Sequence, residues 1–155
     1  MFQSCWQIIS IDFSNFDSSI VTDMYWMFAL SGVVSLDLSN FNTSSVTNMK
    51  SMLWRCYSLT SLDLSNFDTS SVTNMEHMFS TCYSLTSLNL SNFDTSYVTN
   101  VNYMFHGNKS LKSLDLSNFN FISLLSMDNM FSECYSLEIS IIFNFVKLAL
   151  LKKVR

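Results

Sequence analysis

A single segment is written about five times along this chain, and that repetition constrains its fold more than any other feature. Leu36-Asp37-Leu38-Ser39-Asn40-Phe41 returns as Leu62-Asp63-Leu64-Ser65-Asn66-Phe67, as Leu88-Asn89-Leu90-Ser91-Asn92-Phe93 and as Leu114-Asp115-Leu116-Ser117-Asn118-Phe119. The starting positions 36, 62, 88 and 114 are evenly spaced. An earlier copy, Ile11-Asp12-Phe13-Ser14-Asn15-Phe16, begins one position closer to the second than that spacing requires, which places the missing residue near Ala29–Gly32. A last trace, Asn144-Phe145, keeps the register. A fixed period of this size reads as one supersecondary unit that cannot bury its apolar face alone and must stack on its neighbours.

Methionine confirms the register. Met1 aside, every Met falls in one of two columns, Met24/Met49/Met75/Met127 (with Val101 between) and Met27/Met52/Met78/Met104/Met130. Within a copy, Leu62 and Leu64 alternate with Ser61, Asp63 and Ser65, the period of a short strand. Asn66 to Ser70 carries the side chains that turn a chain by bonding nearby backbone groups. Val72, Met75, Met78, Phe79, Cys82 and Leu85 then follow at steps of three or four, the spacing of one helical face, with Thr73 and Glu76 placed as a capping box. The expected fold is therefore an α/β solenoid, leucine-rich-repeat-like, with a parallel strand, a turn and a short helix per 25–26-residue repeat. It forms a single repeat domain over 1–155, with about five repeats in 5–137 and a degenerate, basic C-terminal cap in 138–155. Two phenylalanine-rich columns run through the expected core: Phe16/Phe41/Phe67/Phe93/Phe119/Phe145 and Phe28/Leu53/Phe79/Phe105/Phe131.

The repeat carries a resemblance. Leu59-x-x-Leu62-x-Leu64-x-x-Phe67 resembles the leucine-rich-repeat signature, with Phe where that signature has Asn or Cys. The fuller unit, Leu62 to Met75 closing with Met78-Phe79 and Cys82-Tyr83-Ser84-Leu85, resembles the BspA-like leucine-rich-repeat surface proteins over roughly residues 11–137. That resemblance implies a curved array used for adhesion or protein binding at the cell surface or in secreted form. It implies no catalytic residues.

Function classes can be narrowed further from the residues. Lys and Arg number 8 against 12 Asp and Glu, with no basic cluster before the C-terminus, so nucleic acid is not an expected partner. The first residues show no basic start and no unbroken apolar stretch of a signal peptide, so the alternative to a surface location is the cytoplasm. With 2 His, no Gly-rich phosphate loop and no C-x-x-C pair, neither an enzyme nor a metal or other cofactor is expected. Cys5, Cys56, Cys82 and Cys134 share a column with Leu30 and Asn108, as buried thiols would. The candidate binding surface is the outward strand face: Ser35, Asp37 and Ser39; Ser61, Asp63 and Ser65; Ser87, Asn89 and Ser91; Ser113, Asp115 and Ser117. Like charges at strand spacing repel, so the Asp column calls for solvent or a basic partner. The Asn column, and the Thr columns Thr43/Thr69/Thr95 and Thr47/Thr73/Thr99, read as turn formers and caps. The expected partner is a protein or glycan on another cell. The alternative is a structural spacer or a fragment of a longer array. The apolar and basic segment 139–155 offers a lesser option of membrane contact.

Overall fold

A computed structural model describes residues 4–138. The expected cap, the membrane-contact option and the Asn144-Phe145 trace fall on 139–155, outside the described residues.

The repeats are built almost wholly from turns. The expected α/β solenoid of strand, turn and helix is not what the chain forms: the described residues contain no helix and only two strands, β1 (Ser61–Asp63) and β2 (Ser87–Asn89). These pair in parallel with Ser61 opposite Ser87, Leu62 opposite Leu88 and Asp63 opposite Asn89.

The reason for the missing helix lies in where the amides point. Met78 N–H donates to the Met75 carbonyl and Ser80 N–H to that of His77, three residues back rather than four. The amides of Met75, His77, Phe79 and Thr81 instead leave the copy, donating to the carbonyls of Asn100, Asn102, Met104 and His106 at 3.0, 2.9, 3.0 and 2.6 Å. The same four bonds recur at the other junctions, from 24/26/28/30, 49/51/53/55 and 101/103/105/107. The turn closed by Met78 has a left-handed residue at its third position, as a type II turn needs. Such a residue stands at Trp26, Ser51, His77, Tyr103 and Asn129, and again at Leu30, Arg55, Thr81, Gly107 and Glu133, all with φ between 53 and 74°. Successive turns bury every third or fourth side chain, which is why the segment carries a helical spacing without a helix.

Copies are thus joined by parallel backbone bonds between equivalent positions, with isolated bridges running from Asp23 to Asn48, Asn74, Asn100 and Ser126. The apolar columns meet between them. Met49, Met52, Leu53, Val72, Met75, Met78, Phe79 and Leu85 have no exposed surface. Both phenylalanine columns stack along the array: Phe41–Phe67 and Phe93–Phe119 ring centroids are 6.5 and 6.4 Å apart, and Phe79–Phe105 and Phe105–Phe131 are 5.6 and 5.7 Å apart. The shortened first step coincides with Gly32, where a Cβ would lie 2.0 Å from the Trp6 carbonyl oxygen, so only glycine lets the first copy close there.

Polar columns complete the structure without proline. In each copy Asx turns stand at two or three places: Asp63 accepts from Ser65 N–H at 2.9 Å, Asp68 from Ser70 N–H at 3.0 Å and Asn74 from Glu76 N–H at 2.9 Å. Buried Thr69 bridges copies in both directions, its hydroxyl donating to the Asp94 carbonyl at 2.9 Å and accepting from the Asp94 N–H at 2.8 Å. Ser18, Thr43 and Thr95 repeat this bridge. The expected capping box is absent, because Thr73 donates to the Thr47 carbonyl and Glu76 pairs with Lys50. Asn66 Nδ2 reaches back to the carbonyls of Leu38, Ser39 and Phe41, and Asn92 and Asn118 reach those of Ser65 and Ser91.

Candidate functional site

The strand surface is a shallow groove crossing four copies. One depression of about 650 Å³ is lined by Ser35, Asp37, Ser39, Ser61, Asp63, Ser65, Ser87 and Asn89 over the leucines beneath. A second, of about 560 Å³, shares Ser87, Leu88 and Asn89 and continues to Ser113, Leu114 and Asp115. Ten of the twelve expected residues therefore line one surface. Ser91 and Ser117 do not line it, although both are exposed beside it.

The aspartates there are committed locally before any ligand is considered. Ser65 holds the Asp63 carboxyl below its ordinary range, chiefly through its backbone N–H and then through its hydroxyl. Ser14 and Ser117 do the same for Asp12 and Asp115. For Asp37 the Ser39 hydroxyl, 2.7 Å away, contributes most. These groups are fully or almost fully solvated, so the column is an ionised, hydrated stripe whose mutual repulsion water screens. Asn89 accepts from Ser91 N–H at 3.1 Å, which shows that the turn does not need the charge. The hydroxyls of Ser35, Ser61, Ser87 and Ser113 make no bond among the described residues, and they remain available to a ligand.

Three of the four thiols are buried, and the hydrogen bond with Cys82 holds Cys56 below the ordinary thiol range. Cys56, Cys82 and Cys134 are buried, unbridged, and donate to the carbonyls of Phe28, Leu53 and Phe105. Cys82 is held well above the ordinary thiol range by its hydrogen bond with Cys56 and by complete burial, and burial raises Cys134. Asn108 takes the same role toward Phe79, leaving its Oδ1 buried without a partner. His106 Nδ1 lies 2.6 Å from Ser132 Oγ, which also lies 3.0 Å from the Asn129 carbonyl oxygen.

A second surface is not marked by the repeat. Where the amides cross between copies, the outer side chains differ from copy to copy: Tyr25/Lys50/Glu76/Asn102/Asp128 in one column and Trp26/Ser51/His77/Tyr103/Asn129 in the next. The Tyr25, Trp26 and Trp54 rings lie 5.6 and 5.3 Å apart in sequence order. They line a depression of about 280 Å³ with Lys50, Ser51, Glu76 and His77. Lys50 Nζ is 2.9 Å from Glu76 Oε2, and Arg55 sits 4.3 Å over the Trp54 ring. Burial pushes His77 below the ordinary imidazole value. The Tyr57 and Tyr83 rings stack at 5.1 Å, with Lys109 4.5 Å above Tyr83 and Tyr135 exposed. Sequence reasoning offers Tyr57, Tyr83 and Tyr135, beside the cysteine column, as exposed anchors on another face, but misses Tyr25, Trp26 and Trp54; the available signal for those is the divergence itself, since these columns vary while the structural columns repeat.

A repeat of this register is shared. Residues 1–88 and 60–150 match the family described as Mycoplasma protein of unknown function, DUF285. The chain belongs to this family. No curated protein and no solved structure matches it. The two overlapping matches to the DUF285 family span both the strand groove and the aromatic surface.

Proposed function

We propose that this DUF285 chain is a non-catalytic interaction module of the BspA-like leucine-rich-repeat kind, used for adhesion at the cell surface or in secreted form. It presents the strand groove to a protein or glycan on another cell. The observation that carries this reading is the continuity of the groove: equivalent serines recur across four copies on one shallow, solvent-facing surface, with an ionised aspartate in three of them and Asn89 in the fourth. Extended, repeated surfaces of this kind are what stacked-repeat proteins use for recognition.

The test uses the substitution that the chain itself has made at Asn89. Replacing Asp37, Asp63 and Asp115 with Asn keeps each turn and removes the charge. Binding of the purified protein to host-cell surfaces should fall by about tenfold or more, while the protein stays folded at pH 7 with a small drop in melting temperature from the three charge-assisted turns lost. Unchanged binding by a folded triple variant rejects the strand groove as the recognition surface.

A further inference from the structure

The aromatic depression has a chemistry distinct from the groove. One of its three rings stands where the backbone gives it least encouragement. Trp26 has φ 56°, in the region that Gly and Asn enter at little cost and bulky residues do not. A tryptophan held there is not explained by the turn, which Asn129 makes in the equivalent position.

We propose that this depression is a glycan-binding site that seats one neutral pyranose residue on the Tyr25–Trp26–Trp54 surface. A sugar ring has a flat C–H face that buries well on aromatic carbon, and equatorial hydroxyls that both donate and accept. At the edge of the rings, Lys50 offers only donors and Glu76 mainly acceptors, 2.9 Å apart. A vicinal diol satisfies both: one hydroxyl accepts from the ammonium and its neighbour donates to the carboxylate. Size points the same way. At about 280 Å³ the depression lies just below the roughly 300–1,000 Å³ of sites that enclose a drug-sized ligand, and it suits a single ring lying on a surface. The charge of the described surface as a whole disfavours anionic sugars, against the local positive charge of Arg55 over Trp54. All 12 acidic residues fall within 4–138, where the basic residues are Lys50, Arg55, Lys109 and Lys112, and the local Lys50–Glu76 pair adds no net charge.

The test is a titration of the full chain, read by tryptophan emission, with four neutral probes (cellotetraose, chitotetraose, maltotetraose and galactotetraose) and a heparin tetrasaccharide as the anionic one. The expected result is saturable binding of at least one neutral probe with Kd near or below about 1 mM, and weaker binding of heparin. Tyr25 is 48% exposed, so Tyr25→Ala leaves the core intact. It should weaken the neutral probe about tenfold at unchanged melting temperature, as should Glu76→Gln. The Asp37/Asp63/Asp115→Asn variant should bind the probe normally, which separates this site from the strand groove. Three outcomes overturn the proposal: no neutral probe bound up to about 10 mM, heparin bound more tightly than all four, or equal binding by both folded variants. Capture of a host protein that survives enzymatic removal of its glycans but is lost in Tyr25→Ala overturns it as well, in favour of a protein partner.

Discussion

Thr69 does the work of two backbone groups. Its hydroxyl, on a buried side chain, satisfies both the N–H and the carbonyl of the exposed Asp94 in the next copy. Thr69→Val keeps the shape and strands both groups, so it should cost roughly 2–4 kcal/mol by chemical denaturation. Thr47→Val removes an exposed hydroxyl with a single 3.3 Å bond and should cost less than about 1 kcal/mol. Equal costs would show that the buried bridge has no special weight. The sequence marks both columns as structural, yet it does not separate them. Their partners lie a full period away, and a period says which residues align, not which atoms face each other. The cysteine column is easier to read, because Leu30 and Asn108 in equivalent positions already imply a buried site, and Cys56 and Cys82 are indeed buried.

The Asx turn is the element that recurs most. Asp12, Asp17, Asp37, Asp63, Asp68 and Asp115 all have carboxyls held below their ordinary range by the serine two residues on. A carboxyl with a depressed folded-state pKa contributes stability that is fully present above its unfolded pKa and is lost as pH falls through the folded one. The melting temperature should therefore stay level from pH 7 to about 5 and fall below roughly pH 4. The Asp37/Asp63/Asp115→Asn variant should show a shallower fall, and a parallel acid limb would mean that these turns do not respond to the charge. At this scale the short strand is legible in the alternation of Leu62 and Leu64, and β1 and β2 stand there. The helix is not. A run of turns closed by bonds to the third residue back buries Met75, Met78, Phe79 and Cys82 at nearly the intervals of a helix face. The deciding information is the left-handed φ at His77 and Thr81, which neither residue type advertises.

For the molecule as a whole, the bonds between equivalent positions of adjacent copies make each copy depend on its immediate neighbours. Deleting residues 59–84 removes one full period and sets Leu85 where Leu59 stood. The shortened chain should fold cooperatively with a lower melting temperature, since one copy and one junction are lost. Loss of folding would show that the copies are not interchangeable units. The candidate groove is legible at this scale because its residues repeat; the aromatic surface is not, because its residues differ from copy to copy. The same junctions govern what happens under load. Backbone bonds in the turn segment and beside the strands, with threonine and asparagine side-chain bonds, hold each copy to the next, and tension on one end of the array loads a single junction at a time. A tether made this way yields in steps, each releasing one copy, or roughly 90 Å of extended chain. It would lengthen at nearly constant force, leaving copies that have not peeled away folded.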